Sequence, residues 1–193
     1  MNNLTPNDLY TLEAYARERV AFRARVLAHK ASRKVHLGAH VTLVFEDRLT
    51  IQYQIQEMLR VERIFEAAGI AEELEAYNPL IPDGRNLKAT MLIEYPDPDE
   101  RARKLVELHG IERRASLRVG DDASVIAIAD EDLERSTATK TSAVHFLRFE
   151  LNAAQIAAWR AGARITLALE HPAYAAQIVL DAPTREALAH DFD

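Results

Sequence analysis

Six glycines, no two of them closer than ten residues, constrain this chain more than any other feature of its sequence. Gly38, Gly69, Gly84, Gly110, Gly120 and Gly162 each stand alone. A dinucleotide-binding turn, a Walker loop and a nucleophile elbow all need clustered glycines, because the backbone must approach a phosphate closely or turn sharply there. None can be built here, so no nucleotide loop is available and the α/β-hydrolase arrangement is excluded. Cysteine is absent from all 193 residues. That removes thiolate zinc, iron–sulfur clusters, disulfides and thiol catalysis together. The spacings Glu-x-x-His and His-Glu-x-x-His are also missing, which excludes the usual ligand patterns of ferritin-like di-iron helices and zincin proteases. A non-thiolate metal ion is the cofactor class left open.

The length suits a single domain over residues 1–193. The first residues have neither the basic nor the apolar region of a signal peptide, and no apolar run is long enough to span a bilayer, so a cytoplasmic protein without membrane contact is expected. A helical N-terminal third, 1–77, precedes a strand-rich part, 87–193. Asn7 or Asp8 is expected to cap a long helix reaching Arg33, followed by short strands on either side of Gly38. A second helix, Leu49 to Ala68, is expected to stop at Gly69, with a short helix from Ala71 to Tyr77 after it. Strands are predicted at Leu87–Tyr95 and Ala143–Leu151, a hairpin at Arg114–Ala129, and two further strands around His171-Pro172. Helices follow Pro98, Asn152 and Pro183. Short turns favour antiparallel pairing, so the expected class is α+β, with long N-terminal helices packed on a mostly antiparallel sheet.

Charge is distributed unevenly. Residues 17–34 carry seven Lys or Arg against one Glu, a local +6 in a chain whose net charge is −6, so the remainder sums to −12. On a helical wheel Arg19, Arg23, Lys30, Arg33 and Lys34 cluster beside an apolar stripe of Leu9, Ala16, Val20, Ala24 and Leu27. Phe22 and Val26 are then expected to point outward next to the basic cluster. This face, Arg19, Arg23, Phe22, Val26 and Lys30, reads as a docking surface for a protein with an acidic face. RNA is the less favoured partner, and a plain solvated face is the alternative.

On the second helix Gln54, Glu57 and Glu62 lie within or beside the apolar arc, where they need a hydrogen-bonding, ionic or metal partner. Glu62 and Glu66 are also spaced i, i+4, a like-charge pair that metal ligation, a shared proton, or pairing with Arg60, Arg63 or an arginine of the first helix would explain. If the strands near residues 41, 145 and 171 are neighbours, His40, His145 and His171 could form a mononuclear site with Glu46 or Glu62. Each histidine can equally be structural. The loop from Asn78 to Asn86 gathers Asp83, Arg85, Asn86 and the following Lys88 on irregular backbone, making it a pocket candidate or a rigid connection.

Long motifs support a resemblance. Phe45-Glu46-Asp47-Arg48-Leu49-Thr50 runs into Ile51-Gln52-Tyr53-Gln54-Ile55-Gln56-Glu57-Met58-Leu59-Arg60. Tyr77-Asn78-Pro79-Leu80-Ile81-Pro82-Asp83-Gly84, Lys88 to Tyr95, Val144-His145-Phe146-Leu147-Arg148-Phe149 and His171-Pro172-Ala173-Tyr174 follow. In these the chain resembles an uncharacterised bacterial family, domain of unknown function 3501. The resemblance carries no activity or catalytic residue. The family's reported gene neighbours, rubrerythrin and an iron–sulfur protein, imply an accessory role in peroxide, oxygen or iron handling, with such proteins as partners. The expected function is therefore a cytoplasmic, homo-oligomeric accessory or interaction protein, and the alternative is a His/Glu metal-binding protein or metal-dependent enzyme.

Overall fold

In the computed structural model, which describes residues 3–193, the first long helix begins later than its sequence suggests. Pro6–Asp8 form one 3-10 turn, stapled by Thr5 and Asp8. Helix α1 then runs Leu12–Ala31, with the Thr11 hydroxyl accepting from the Ala14 N–H. Its inward face is the aromatic one. Tyr15, Phe22 and Val26 are buried, and the Phe22 ring meets Tyr10 and Tyr15 edge-on at 5.8 and 6.1 Å. This corrects the expected orientation: Phe22 and Val26 point into the protein, while Val20 and Leu27 face solvent, 80% and 48% exposed. Burying Tyr15 and Phe22 withdraws more apolar surface than burying a stripe of alanines with one valine and one leucine.

Strands β1 (Lys34–Leu37) and β2 (Val41–Glu46) form the hairpin expected around Gly38. Gly38 has φ +74°, and a Cβ there would lie 2.5 Å from the Tyr174 hydroxyl, so only glycine fits. That hydroxyl donates to the Leu37 carbonyl and accepts from the His40 N–H.

Helix α2 (Arg48–Val61) is capped by Asp47 and Thr50. It stops well before Gly69. Arg63 takes the left-handed conformation, φ 56°, and the Ile64 N–H bonds back to the Leu59 carbonyl. This is a Schellman stop with arginine where glycine is usual. Gly69 instead lies inside α3 (Ala67–Tyr77), where a Cβ would come within 2.7 Å of Ile64 Cγ2.

The strands form two antiparallel sheets instead of one, and the first takes β1 and β2 from the N-terminal third. The first has the order β1-β2-β3-β7-β6, with β3 at Asn86–Ile93, β6 at Ile128–Ala129 and β7 at Val144–Glu150. The second has the order β5-β4-β8-β9, formed by Val125–Ile126, Ala115–Val119, Ile165–His171 and Tyr174–Val179. The expected hairpin from Arg114 to Ala129 is therefore split, since β5 pairs with β4 while β6 crosses to β7. The sheets face one another over a shared core that includes Leu43, Phe45, Met91 and Phe149 from one side and Leu117 and Leu167 from the other. Helices α4 (Pro98–Glu107), α5 (Ala153–Arg160) and α6 (Ala182–Ala189) flank it, with Trp159 and Leu188 reaching the core.

The fold is thus α+β, as expected, with the N-terminal helices laid over the outer face of the five-stranded sheet. A terminal 3-10 turn, His190–Phe192, closes the chain. Among the described residues no helix is long and apolar enough to cross a membrane.

Candidate functional site

Because the aromatic side of α1 turns inward, its arginines part company. Arg19 is drawn against α2, where its Nε and Nη2 grip Glu57 at 2.7 and 2.9 Å. The Tyr15 hydroxyl donates to the same carboxylate at 2.6 Å. The Arg19 guanidinium, followed by the Tyr15 hydroxyl, holds the Glu57 carboxyl down to about 2, against the opposing effect of partial burial. Arg19 is therefore a clamp between two helices and not a free docking group. Lys30 leans the other way, toward Glu46. Arg33 is buried, donating to the carbonyls of Phe45, Glu46 and Ala187 and to the Asp191 carboxylate.

Arg23, Arg25 and Lys34 are left without a carboxylate partner among the described residues, although Arg25 sits 4.9 Å over the Phe22 ring. The outward face of α1 consequently carries Ala16, Val20, Ala24 and Leu27, all exposed, with Arg17 and Arg23 on its two sides. The spacing of 20, 24, 27 and 31 is that of a helix-pairing seam. Of the expected docking residues, Arg23 alone stands on this free face.

The histidines do not converge. His145 is fully buried on β7, its Nδ1 2.6 Å from Asp130 and its Nε2 2.7 Å from the Thr141 hydroxyl and 3.1 Å from the Ser142 carbonyl. The Thr141 hydroxyl is also within reach of Glu112 at 3.2 Å. Asp130, Thr141 and Glu112 thus form one hydrogen-bonded network around the buried His145 ring. His40 stacks on Tyr95 at 4.0 Å and bonds the Glu94 carbonyl. His171 bonds the His109 carbonyl and accepts from the Ala173 N–H. Glu46 accepts from Thr90 at 2.7 Å, and Glu62 is an exposed C-cap. Among the described residues no group of three His, Asp or Glu is placed to hold a metal ion. The proposed His40, His145, His171 and Glu46 or Glu62 set is therefore not assembled.

The loop candidate also separates. Asp83 and Arg85 are exposed and form a local turn, in which the Asp83 side chain accepts from the Arg85 N–H. Asn86 is buried and ties that turn to Glu150. Lys88 lies on the outer sheet face, in a hollow of about 80 Å³ with Leu80, Phe146 and Arg148. Burial, and then the Arg148 charge, push its ammonium group below the usual lysine range.

A larger cleft escaped the sequence reading because its walls come from distant segments. It encloses about 240 Å³ between the helices and the outer face of the five-stranded sheet. Val44, Ile51, Leu80, Leu92, Val144 and Phe146 line it, while Lys30, Glu46, Gln54 and Thr90 supply polar groups. The only trace in the sequence is the run of half-buried apolar residues out of phase with the core on β2, β3 and β7.

Comparison with known proteins agrees with this fold and adds no activity. The family described as "Protein of unknown function (DUF3501)" matches residues 3–192. No curated protein matches the chain. A crystal structure described as a novel protein of unknown function from Burkholderia pseudomallei K96243 shares 53% identity, covers 100% of both chains and superposes with a TM-score of 0.95.

Proposed function

The chain belongs to the DUF3501 family, and on that premise we propose that it is an interaction protein that docks an acidic amphipathic helix of its partner along the outward face of α1. The observation that carries this reading is the exposed Ala16–Val20–Ala24–Leu27 seam. It is set between Arg23, unpaired among the described residues, and Arg17, which also pairs with Glu13 at 2.7 Å. Apolar residues at pairing spacing, with cations on the flanks, complement a helix whose own apolar seam is flanked by Asp or Glu. The partners implied by family membership are rubrerythrin-like and iron–sulfur proteins, which makes the role an accessory one in peroxide, oxygen or iron handling. What supports that finer reading is the family's reported gene neighbourhood. The absence of cysteine agrees with it, because this chain cannot carry the cluster itself.

The test uses a synthetic helical peptide with leucines along one face and glutamates on both flanks, followed by fluorescence anisotropy. Binding with a Kd on the order of 10 µM is expected, weakened by salt and lost in Val20→Asp and Leu27→Asp. Equal binding of a lysine-flanked peptide, or unchanged binding by both variants, overturns the proposal. So does a dimer in sedimentation that Val20→Asp dissociates, which would give the face to a second copy. Preferential binding of single-stranded RNA with a steep salt dependence would reassign it to nucleic acid.

A further inference from the structure

Lys30 and Glu46 meet at the cleft under the helices, and neither is fully used by the protein. Glu46 is only 8% exposed. Its Oε1 accepts from the Thr90 hydroxyl at 2.7 Å, but its Oε2 has only Lys30 Nζ, at 3.9 Å and beyond hydrogen-bond reach. Among the described residues the Lys30 ammonium makes no hydrogen bond at all. The Lys30 side chain is 26% exposed and that of Glu46 10%, so the pair stands at the edge of the solvent without closing into a short contact. Here each group keeps an open valence toward the same 240 Å³ of space. The remaining walls are Val44, Leu92, Val144 and Phe146 from the sheet and Ile51, Tyr77 and Leu80 from the helical layer.

We propose that this cleft binds a free α-amino acid with a branched aliphatic or aromatic side chain. Its carboxylate is received by Lys30, its ammonium by Glu46 Oε2, and its side chain by the Leu92–Phe146 wall. The charges decide the class. A simple fatty acid would set its carboxylate against Glu46, and an amine would set its ammonium against Lys30. A neutral amide would offer only dipoles to two full charges. The zwitterion places an opposite charge on each and leaves the pair neutral, as a site with an apolar lining requires. Size agrees, since at about 30 Å³ per water the cleft holds the volume of about eight waters, comparable to leucine. Gln54 lies at the mouth, exposed and without a hydrogen-bond partner among the described residues. This site shares no residue with the docking face, although Lys30 stands one turn beyond Leu27 on α1.

Four probes sharing one carbon skeleton test it: L-leucine, L-leucinamide, N-acetyl-L-leucine and 4-methylpentanoate, each titrated into the whole protein and followed by amide chemical shifts. L-leucine is expected to bind saturably at millimolar concentration or below, with shifts at Val44, Thr90 and Leu92. The amide, the acetylated form and the acid should each bind about tenfold more weakly or worse, a difference of about 1.4 kcal/mol. Leu92→Trp, which fills the cleft from an outward-facing strand position, should abolish binding while the protein keeps its native spectrum. Glu46→Gln should reduce L-leucine to the affinity of 4-methylpentanoate. The proposal is overturned if the acid binds as tightly as the zwitterion, if L-leucine still binds to Leu92→Trp, or if L-leucine gives no saturable shift at about 10 mM.

Discussion

Arg33 shows how single residues hold this fold. Its guanidinium is buried, and it joins the carbonyls of Phe45 and Glu46 on β2 to Ala187 of α6 and to the Asp191 carboxylate. Burial pushes the Asp191 carboxyl up to about 6, although Arg33 beside it pulls the other way. Asp47 lies 3.5 Å from the same arginine and is held below its ordinary value by Arg33 and by its bonds to Thr50 and His29, which outweigh its own desolvation. The sign of the Asp191 effect follows from proton binding. An acid whose folded pKa is raised binds more protons in the folded state, so its contribution to stability grows as pH falls from 7 through 6. Asp191→Asn removes the titrating carboxyl and stands in for its neutral form, so wild type should gain about 1 kcal/mol on the variant between pH 6 and pH 5 in urea unfolding. A wild type that loses ground to the variant on acidification contradicts this account. None of this was legible in the sequence. Arg33 and Asp191 are separated by nearly the whole chain, and Arg33 looks there like one more member of a basic run. That Glu57 needs a partner is legible, since a carboxylate on an apolar arc must be paired, but the sequence does not name Arg19 and Tyr15 as that partner.

At the level of elements, α1 and the α2–α3 junction show where periodicity misleads. Helix α1 has two apolar faces, one aromatic and one aliphatic, and a helical wheel does not say which turns inward. The larger buried area of the aromatic set decides it, and the aliphatic set is left exposed, where the proposed docking would occur. The helix stop before α3 is hidden for a different reason, because Arg63 occupies the left-handed position that Gly normally marks. Gly69 is needed for packing. Replacing a helical glycine with alanine usually stabilises by about 1 kcal/mol, but a Cβ at 69 would meet Ile64 Cγ2 at 2.7 Å. Gly69→Ala should therefore leave the melting temperature unchanged or lower it. In an Ile64→Ala background the same substitution should stabilise by about 1 kcal/mol. Stabilisation of the otherwise unaltered protein would show that Ile64 is not what excludes a side chain there.

For the whole molecule, the antiparallel α+β class and most strand positions were readable from alternation and turn residues, while the division into two sheets was not. Strand alternation marks an inner and an outer face but does not say which strands share a sheet. Ile128–Ala129 reads as the end of a hairpin yet pairs with β7. The two layers and the helices are drawn together at the C-terminus, where Phe192 packs edge-on to Trp159 at 5.4 Å and Asp191 meets Arg33. Truncation after Ala189 should therefore cost several kcal/mol, on the order of 4, and lower the denaturant midpoint well beyond the effect of Asp191→Asn alone. Equal midpoints for the two would mean that Phe192 contributes nothing.

The central claim concerns the free face of α1, and amide chemical-shift mapping with the glutamate-flanked peptide tests it most directly. The account predicts saturable shifts at Ala16, Val20, Arg23, Ala24 and Leu27, diminishing as salt is raised. Shifts confined to other surfaces, or none on α1 while the peptide binds, would contradict it.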